Sequence, residues 1–305
     1  MKINNPHDLL IKSILKDKKM AVDYLQNFLP KEIADKLDFE TLTLVETSYI
    51  NDQLKTYFSD IIYNCRIKSD NLDIEIAILI EHKSYKDKFV VFQILHYLSS
   101  AWIQSISNNE NPKLIIPILF YHGKEEWKYQ EIKDFFITAD DTIIQYVPNY
   151  KYIFNNLLEL NDNQLWALEN QFLAVNMLAL KHFFDQIWLE SNLVSIFSKL
   201  LNNNENLNAK LIVYIFNFVK LKSEKIDELF KDLPNLKKSE VMNTIQLLKK
   251  EGKIEGKIEG KIEAIEEIVI SSFKNGIEIN LISNITNLDV EKIQAILLKK
   301  NLIKK

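Results

Sequence analysis

Two acidic residues and a lysine in the N-terminal half have the types and the spacing that metal-dependent cleavage of a phosphodiester requires. Asp60 begins one predicted strand, and Glu81 and Lys83 stand two residues apart at the end of the next. Side chains alternate between the two faces of a strand, so Glu81 and Lys83 share a face. If the two strands pair, two carboxylates and an ammonium group converge.

This trio predicts a magnesium site and hydrolytic chemistry. Mg²⁺ prefers carboxylate oxygens together with water and substrate oxygens, so Asp60 and Glu81 are the candidate ligands of one or two Mg²⁺ ions, or of another divalent cation. The cation would polarise the phosphate and activate a water. Lys83 could orient that water, deprotonate it, or stabilise charge on the phosphate. The hypothesis is an Mg²⁺-dependent endodeoxyribonuclease, with DNA as its partner.

The same residues also have an ordinary structural explanation. An Asp at the start of a strand is common, and Glu-x-Lys at the end of a strand is often a solvated ion pair. However, the apolar run 76–80 leads directly into Glu81. A charged cluster that follows a buried strand must be paired, bind a metal or be functional, and this position favours the catalytic explanation.

The surrounding pattern predicts an α/β domain that positions these residues. Apolar spacing and turn residues predict helices over 5–29, 31–37 and 87–107, and strands over 42–50, 60–68, 74–83 and 114–121. Pro117 predicts that the last strand is irregular or lies at an edge of the sheet. The order helix, three strands, helix, strand indicates a small α/β core.

Two further polar residues could support the site. Asp8 could be a third acid near the metal, or it could merely complement the dipole of the first helix. Gln93, on the helix after Lys83, could face the site or be an ordinary polar position of an amphipathic helix.

The histidines are weaker candidates for a role in the chemistry. His7, like its neighbour Asp8, could lie near the metal or have only a structural role. His82 should face away from Glu81 and pack, and His122 should form local bonds in its turn.

The remainder of the chain is predicted to be helical. We divide it into a core over 1–150, a helical region over 151–248 with no reactive constellation, a linker over 249–263 and a helical tail over 264–305. The linker repeats Glu-Gly-Lys-Ile, whose like charges at i,i+4 and frequent glycines disfavour a helix. It should be a flexible tether or a marginal helix, unless pairing in a homodimer stabilises it.

The tail has the outline of a helix-turn-helix, with short helices predicted over 278–286 and 290–300. It offers few residues for reading base edges, so packing or oligomerisation is favoured over DNA reading.

Composition indicates a protein of the cytoplasm. The single cysteine, Cys65, cannot form an internal disulfide, and the first ten residues do not resemble a signal peptide. No apolar run of the first half approaches the ~20 residues of a membrane span. The net charge is −4, and residues 1–150 carry 17 basic and 22 acidic side chains. This balance disfavours simple electrostatic binding of DNA, although a metal site would reverse the local sign.

The chain resembles the Rpn family, also called YhgA-like transposases, within the PD-(D/E)XK nuclease superfamily. The match covers the first 130 residues well and the remainder, including the Glu-Gly-Lys-Ile repeats, loosely. The residues that carry it are His7-Asp8 with Lys12, Leu29-Pro30, Ser59-Asp60-Ile61-Ile62-Tyr63, Ile80-Glu81-His82-Lys83-Ser84, Tyr97, Trp102, Pro117 and Tyr121-His122-Gly123.

The resemblance implies a restriction-endonuclease-like core and a metal-dependent DNA endonuclease linked to recombination or mobile elements. The metal ligands of the superfamily map onto Asp60 and Glu81, and its lysine onto Lys83. Two positions depart from the pattern. Ser59 replaces the usual proline, and Lys83 stands where the family commonly has glutamine. The alternatives are a non-catalytic DNA-binding or assembly protein with the same fold, and a toxin or defence component controlled by a partner.

Overall fold

The computed structural model describes residues 6–45, 61–68, 74–138, 140–201, 204–218, 229–275, 277–286, 288–300 and 302–303. The chain divides into two compact units, Met1–Val241 and Met242–Lys305. Across the described ranges, every helix is too short or too polar to cross a lipid bilayer.

The first unit contains a five-stranded sheet with helices before, between and after its strands. In chain order its elements are α1 (Pro6–Leu15), α2 (Lys18–Phe28), α3 (Lys31–Ala34), β1 (Leu37–Leu44), β2 (Ile61–Ile67), β3 (Ile74–Lys83), α4 (Val90–Ser107), β4 (Leu114–Tyr121), α5 (Asp141–Ile144), β5 (Ile153–Asn156), α6 (Asp162–Trp166), α7 (Gln171–Lys181), α8 (Gln186–Ser198) and α9 (Glu205–Phe218). This is the predicted α/β core followed by helices.

The sheet has the order β1-β2-β3-β4-β5. β1, β2 and β3 are antiparallel neighbours, and β3, β4 and β5 run parallel. Ile61 pairs with Ile80, and Lys83 pairs with Tyr121. The long helix α4 makes the crossover between the parallel strands β3 and β4. Its buried residues Val90, Val91, Ile94 and Leu98 pack with Leu119 and Tyr121 of β4 in one core cluster.

The prediction of one helix over 5–29 is wrong, because the chain breaks between α1 and α2. The side chain of Asp17 accepts a hydrogen bond from the backbone N–H of Met20 at 3.1 Å and caps α2. A short acidic side chain competes with the helical ladder in this way and starts a new helix. The break lets both helices bury apolar residues, including Ile11, Ile14, Ala21 and Leu25.

Pro117 lies in an interior strand, but at a position that is paired with β3 alone. β4 has β3 on one side and β5 on the other, but β5 pairs only with Ile118–Tyr121. Pro117 therefore precedes the segment that has two neighbours, and its missing N–H is tolerated there.

The strand β5 was not predicted, and it moves the end of the sheet beyond residue 150. Its four residues add a fifth strand, and α7 packs in the same compact unit. The first unit thus includes most of the region predicted over 151–248. Strand 42–50 was placed too late, since β1 is Leu37–Leu44, and residues 46–50 lie outside the described ranges.

The second unit contains most of α10 (Asn235–Lys274), with α11 (Ile279–Thr286) and α12 (Val290–Lys299). Val269, Ile282, Ile293 and Leu297 form its buried cluster. The Glu-Gly-Lys-Ile repeat lies within the continuous helix α10. Of the two predictions for it, a flexible tether or a helix, the structure has the helix. The pair α11 and α12 matches the predicted short helices, and DNA reading or dimerisation by this tail stays a prediction.

Gly123 should be required at the end of β4. A Cβ at this position would lie 2.4 Å from ring atoms of Tyr121, whose side chain is buried and donates to the carbonyl of Glu125 at 2.7 Å. We expect Gly123→Ala to lower the free energy of unfolding by about 1–3 kcal/mol, as overpacking does. Urea denaturation measures this.

The matched control replaces a glycine within α10. Gly256→Ala should raise stability by up to about 1 kcal/mol through helix propensity. If Gly123→Ala leaves the urea midpoint unchanged, Tyr121 can move aside and the constraint is absent.

Candidate active site

Glu81, Lys83 and Gln93 form one hydrogen-bonded cluster at the end of β3. The Gln93 amide nitrogen donates to Glu81 Oε1 at 2.9 Å, and Lys83 Nζ donates to Gln93 Oε1 at 2.8 Å. Lys83 Nζ also lies 3.1 Å from Glu81 Oε1. Because Gln93 is on the first turn of α4, the helix that follows β3 holds both charged side chains in place.

Tyr97 holds the side chain of Gln93 in place. It is one helical turn after Gln93, and its hydroxyl accepts a hydrogen bond from the Gln93 amide nitrogen. Tyr97 itself is buried against Leu79. The side chain of Gln93 is therefore fixed in the orientation that serves Glu81 and Lys83.

Sequence reasoning missed Asp87, a second acidic partner of Lys83. Asp87 Oδ2 lies 3.1 Å from Lys83 Nζ, and Oδ1 accepts the backbone N–H of Phe89 at 3.0 Å. The only signal was the i,i+4 spacing from Lys83, with Asp87 at the start of the helix predicted over 87–107.

The lysine remains a cation in this environment. Burial acts to lower the pKa of Lys83, but the carboxylates of Glu81 and Asp87 outweigh it, so the pKa is raised above its usual value. A protonated lysine can orient a water or neutralise a phosphate oxygen, whereas it cannot accept a proton.

Glu81 has an oxygen that the cluster does not use. The residue is 2 % exposed, and its buried Oε2 has no hydrogen-bond partner in the described part of the chain. An unpaired carboxylate oxygen in a buried position is costly unless another group binds it. This oxygen fits the requirement for a ligand of a hard divalent cation.

The predicted second ligand, Asp60, lies outside the described residues. It directly precedes Ile61, whose partner Ile80 directly precedes Glu81. Within the described ranges, no three His, Cys, Asp or Glu side chains are grouped so that they could hold a metal ion. The candidate metal centre therefore has one of its two predicted ligands in the structure.

Asp8 is not a member of this cluster; it is the acidic residue in the first turn of α1. Asp8 Oδ2 accepts from Lys12 at 2.6 Å, and Oδ1 lies 3.6 Å from His82 Nδ1. Since His82 alternates with Glu81 along β3, Asp8 contacts the face of the sheet opposite to the cluster.

Three histidines that are distant in sequence meet on that opposite face. The rings of His82 and His122 are 5.0 Å apart and nearly parallel, and His7 is 4.8 Å from His122. His7 Nδ1 is 2.8 Å from the Tyr214 hydroxyl, and His122 Nδ1 is 3.1 Å from the carbonyl of Leu180. The predicted packing role of His82 agrees with this arrangement, in which the histidines join the sheet to α7 and α9.

These histidines should make the fold sensitive to acid. Burial, with a smaller contribution from His82, lowers the pKa of His7 from 6.5 to about 4, and burial also lowers the pKa of His122. The unfolded chain therefore binds protons first, so stability is lost as the pH falls from about 6.5 towards 4. We expect His7→Asn to flatten this decline in urea midpoints measured across the range.

The exposed His96 offers the matched control for this experiment. In His96→Asn, the urea midpoint should fall with decreasing pH as steeply as in the parent protein. If it also falls as steeply in His7→Asn, the loss of stability in acid does not come from His7.

Comparisons with known proteins place most of the N-terminal unit in one family. The model of the family described as "Putative transposase, YhgA-like" matches residues 5–211. The chain is 26% identical over 239 residues to the recombination-promoting nuclease RpnD of Escherichia coli O157:H7, covering 75% of this chain and 87% of that protein. It is 32% identical over 123 residues to the recombination-promoting nuclease RpnA of Escherichia coli K12, covering 40% and 41%.

One relative carries a different description. The chain is 23% identical over 259 residues to the inactive recombination-promoting nuclease-like protein RpnE of Escherichia coli K12, covering 82% of this chain and 83% of that protein. No solved structure matches the chain at the significance that these relatives reach. Because the family model covers more than half of the sequence, this chain belongs to the YhgA-like transposase family, which includes the recombination-promoting nucleases.

Proposed function

We propose that this protein is a metal-dependent DNA endonuclease associated with recombination or mobile elements. The observation that carries the proposal is the buried carboxylate of Glu81, which has one oxygen bonded to Gln93 and Lys83 and the other without a partner in the described residues. The names of the relatives RpnD and RpnA support nuclease activity at the level of the family.

Asp60 and Glu81 would hold the divalent cation, which when bound supplies electrostatic stabilisation and an activated water. Asp60 enters the proposal from its place in the sequence, directly before Ile61, which pairs with the residue before Glu81.

The residues around Glu81 would orient the reacting groups. Lys83 would contact the phosphate or the attacking water as a cation, because its pKa is raised. Gln93 would act as a positioning residue, since it binds both Glu81 and Lys83 and is itself bound to Tyr97. Such an arrangement is fixed before substrate arrives, which lowers the cost of reorganisation.

A non-catalytic role is the second candidate, and burial is the observation that favours it. Glu81 and Lys83 are 2 % and 8 % exposed, and Lys83 is paired with both Glu81 and Asp87. A buried and paired cluster can serve as a structural element of a DNA-binding or assembly protein. The name of the relative RpnE, an inactive nuclease-like protein, is consistent with a chain of this kind that does not cleave DNA.

Cleavage of supercoiled plasmid with and without Mg²⁺ distinguishes the two candidates. The parent protein should convert plasmid to open-circular or linear forms only with the cation, and Asp60→Ala should not. Asp141→Ala, which changes an exposed Asp far from the cluster in sequence, should cleave like the parent. If the parent protein leaves plasmid intact at every Mg²⁺ concentration, the non-catalytic role is preferred.

A further inference from the structure

The loop over residues 84–89 places exposed aromatic rings and lysines directly after Lys83. It joins β3 to α4, and Tyr85 and Phe89 are each 59 % exposed. Lys86 and Lys88, which lie between them on either side of Asp87, are exposed as well. Large aromatic side chains left in water next to a candidate active site suggest a surface that binds a planar ligand.

Tyr85 is the ring nearest to the proposed chemistry. Its centroid lies 5.8 Å from Lys83 Nζ. Adjacent phosphates along one strand of a duplex are separated by about 3.4 Å of helix axis. A phosphate at Lys83 would therefore place one of its flanking nucleotides within reach of the Tyr85 ring.

Phe89 is exposed but supported from behind. Its ring lies 5.9 Å from that of Phe135 in a stacked arrangement, and Lys88 Nζ is 5.6 Å from its centroid. A ring that is held on one side and open on the other can accept a base without losing much side-chain entropy.

A polar cleft of about 340 Å³ continues from this loop. Lys86 donates to the carbonyl of Glu126 at its rim, and Lys128 lines the same cleft. The carboxylate of Glu126 lies 3.5 Å from Lys128 Nζ, so the residues that line the cleft carry two ammonium groups and one carboxylate. The cleft thus has a small excess of positive charge that suits a phosphate backbone.

We propose that Tyr85 and Phe89 form a stacking platform for unpaired nucleobases beside the phosphate that is cut. In a duplex each base stacks on its neighbours, so only an unpaired base can lie on a protein ring without first being extruded. The inference rests on the proposed nuclease function and specifies its substrate class, which is DNA with unpaired nucleotides at the cleavage point, either a single strand or a fork.

Binding without cleavage tests the platform separately from the nuclease. Fluorescence anisotropy in EDTA, with the full chain, compares one labelled sequence as a single strand, a fork and a blunt duplex. The single strand and the fork should bind more tightly than the duplex. Tyr85→Leu should weaken binding of the single strand by about 5–100-fold, as loss of a stacked ring does, and Tyr85→Trp should retain it.

The matched control is Tyr146→Leu, because Tyr146 is 81 % exposed at a place far from this loop in sequence. It should bind all three DNA forms like the parent. Melting temperatures of the variants show whether each is folded, and Tyr85→Trp keeps the test decisive if the leucine variant is not.

Several outcomes would overturn the platform. The first is that Tyr85→Leu loses as much affinity for the duplex as for the single strand, and the second is that it loses no affinity at all. The third is that the parent protein binds RNA of the same sequence more tightly than DNA. If the parent protein cuts plasmid while Tyr85→Leu cuts fork and duplex at parental rates, the platform fails and the nuclease stands. If binding of the single strand depends on Tyr85 but no DNA is cut, the platform stands and the nuclease fails.

Discussion

Replacing Glu81 with glutamine should abolish cleavage while leaving the protein folded. Gln has the shape of Glu and keeps an oxygen that can accept from Gln93 and Lys83, but it loses the charge that a divalent cation requires. Loss of metal-assisted catalysis corresponds to several kcal/mol, so the cleavage rate should fall by about 10³-fold or more. The melting temperature should change little, because a buried carboxylate is replaced by a neutral amide and Lys83 retains Asp87.

The rate of plasmid nicking at saturating Mg²⁺ measures this effect. Glu110→Gln is the matched control, since Glu110 is exposed and should be dispensable. A folded Glu81→Gln protein that still nicks plasmid at the parental rate would exclude Glu81 as a metal ligand.

The second large effect is expected from Lys83→Gln, which replaces the cation with a neutral amide. Gln can donate a hydrogen bond to Glu81 but cannot neutralise a phosphate oxygen. We expect cleavage to slow by roughly 10²-fold, the scale on which removing one electrostatic contact to the transition state acts. The raised pKa of Lys83 also predicts that no lysine ionisation appears in the activity profile across the neutral pH range.

This experiment compares rate against pH for the parent and the variant, with Lys19→Gln as an exposed control. The ion pairs of Lys83 also stabilise the fold at every pH below the pKa of a lysine in the unfolded chain. This stabilisation is lost as the pH rises through the higher pKa that Lys83 has in the folded protein. If Lys83→Gln cuts as fast as the parent, a hydrogen bond at this position suffices and the charge has no role. If instead the parental rate rises with a lysine ionisation near neutral pH, Lys83 acts as a base.

The elements that the sequence predicted well are those with strong patterns. The bounds predicted for β3, around the apolar run 76–80, are those of the structure, and so are the bounds predicted for β4 from its β-branched run. The strand β5 was missed because its four residues are too few to show a period of two. The break at Asp17 was missed because an apolar spacing continues across it, and only a capping hydrogen bond reveals it.

The candidate site was predictable where neighbours in sequence are also neighbours in space. Alternation along β3 placed Glu81 and Lys83 on one face, and helical spacing made Gln93 a candidate for that face. The histidine cluster could not be predicted in this way, since it depends on how α1, β3 and the turn after β4 pack. The two alternatives for Asp8 stayed open for the same reason, because sequence alone does not say which face of the sheet α1 covers.

The short strand β5 determines where this protein can be shortened. A fragment that ends at residue 150 would leave one flank of β4 with bare amide and carbonyl groups, which invite other chains to add to the sheet and aggregate. Expression of the first unit by itself should therefore extend to residue 241, where this compact unit ends, and the shorter fragment should be recovered mainly as insoluble material.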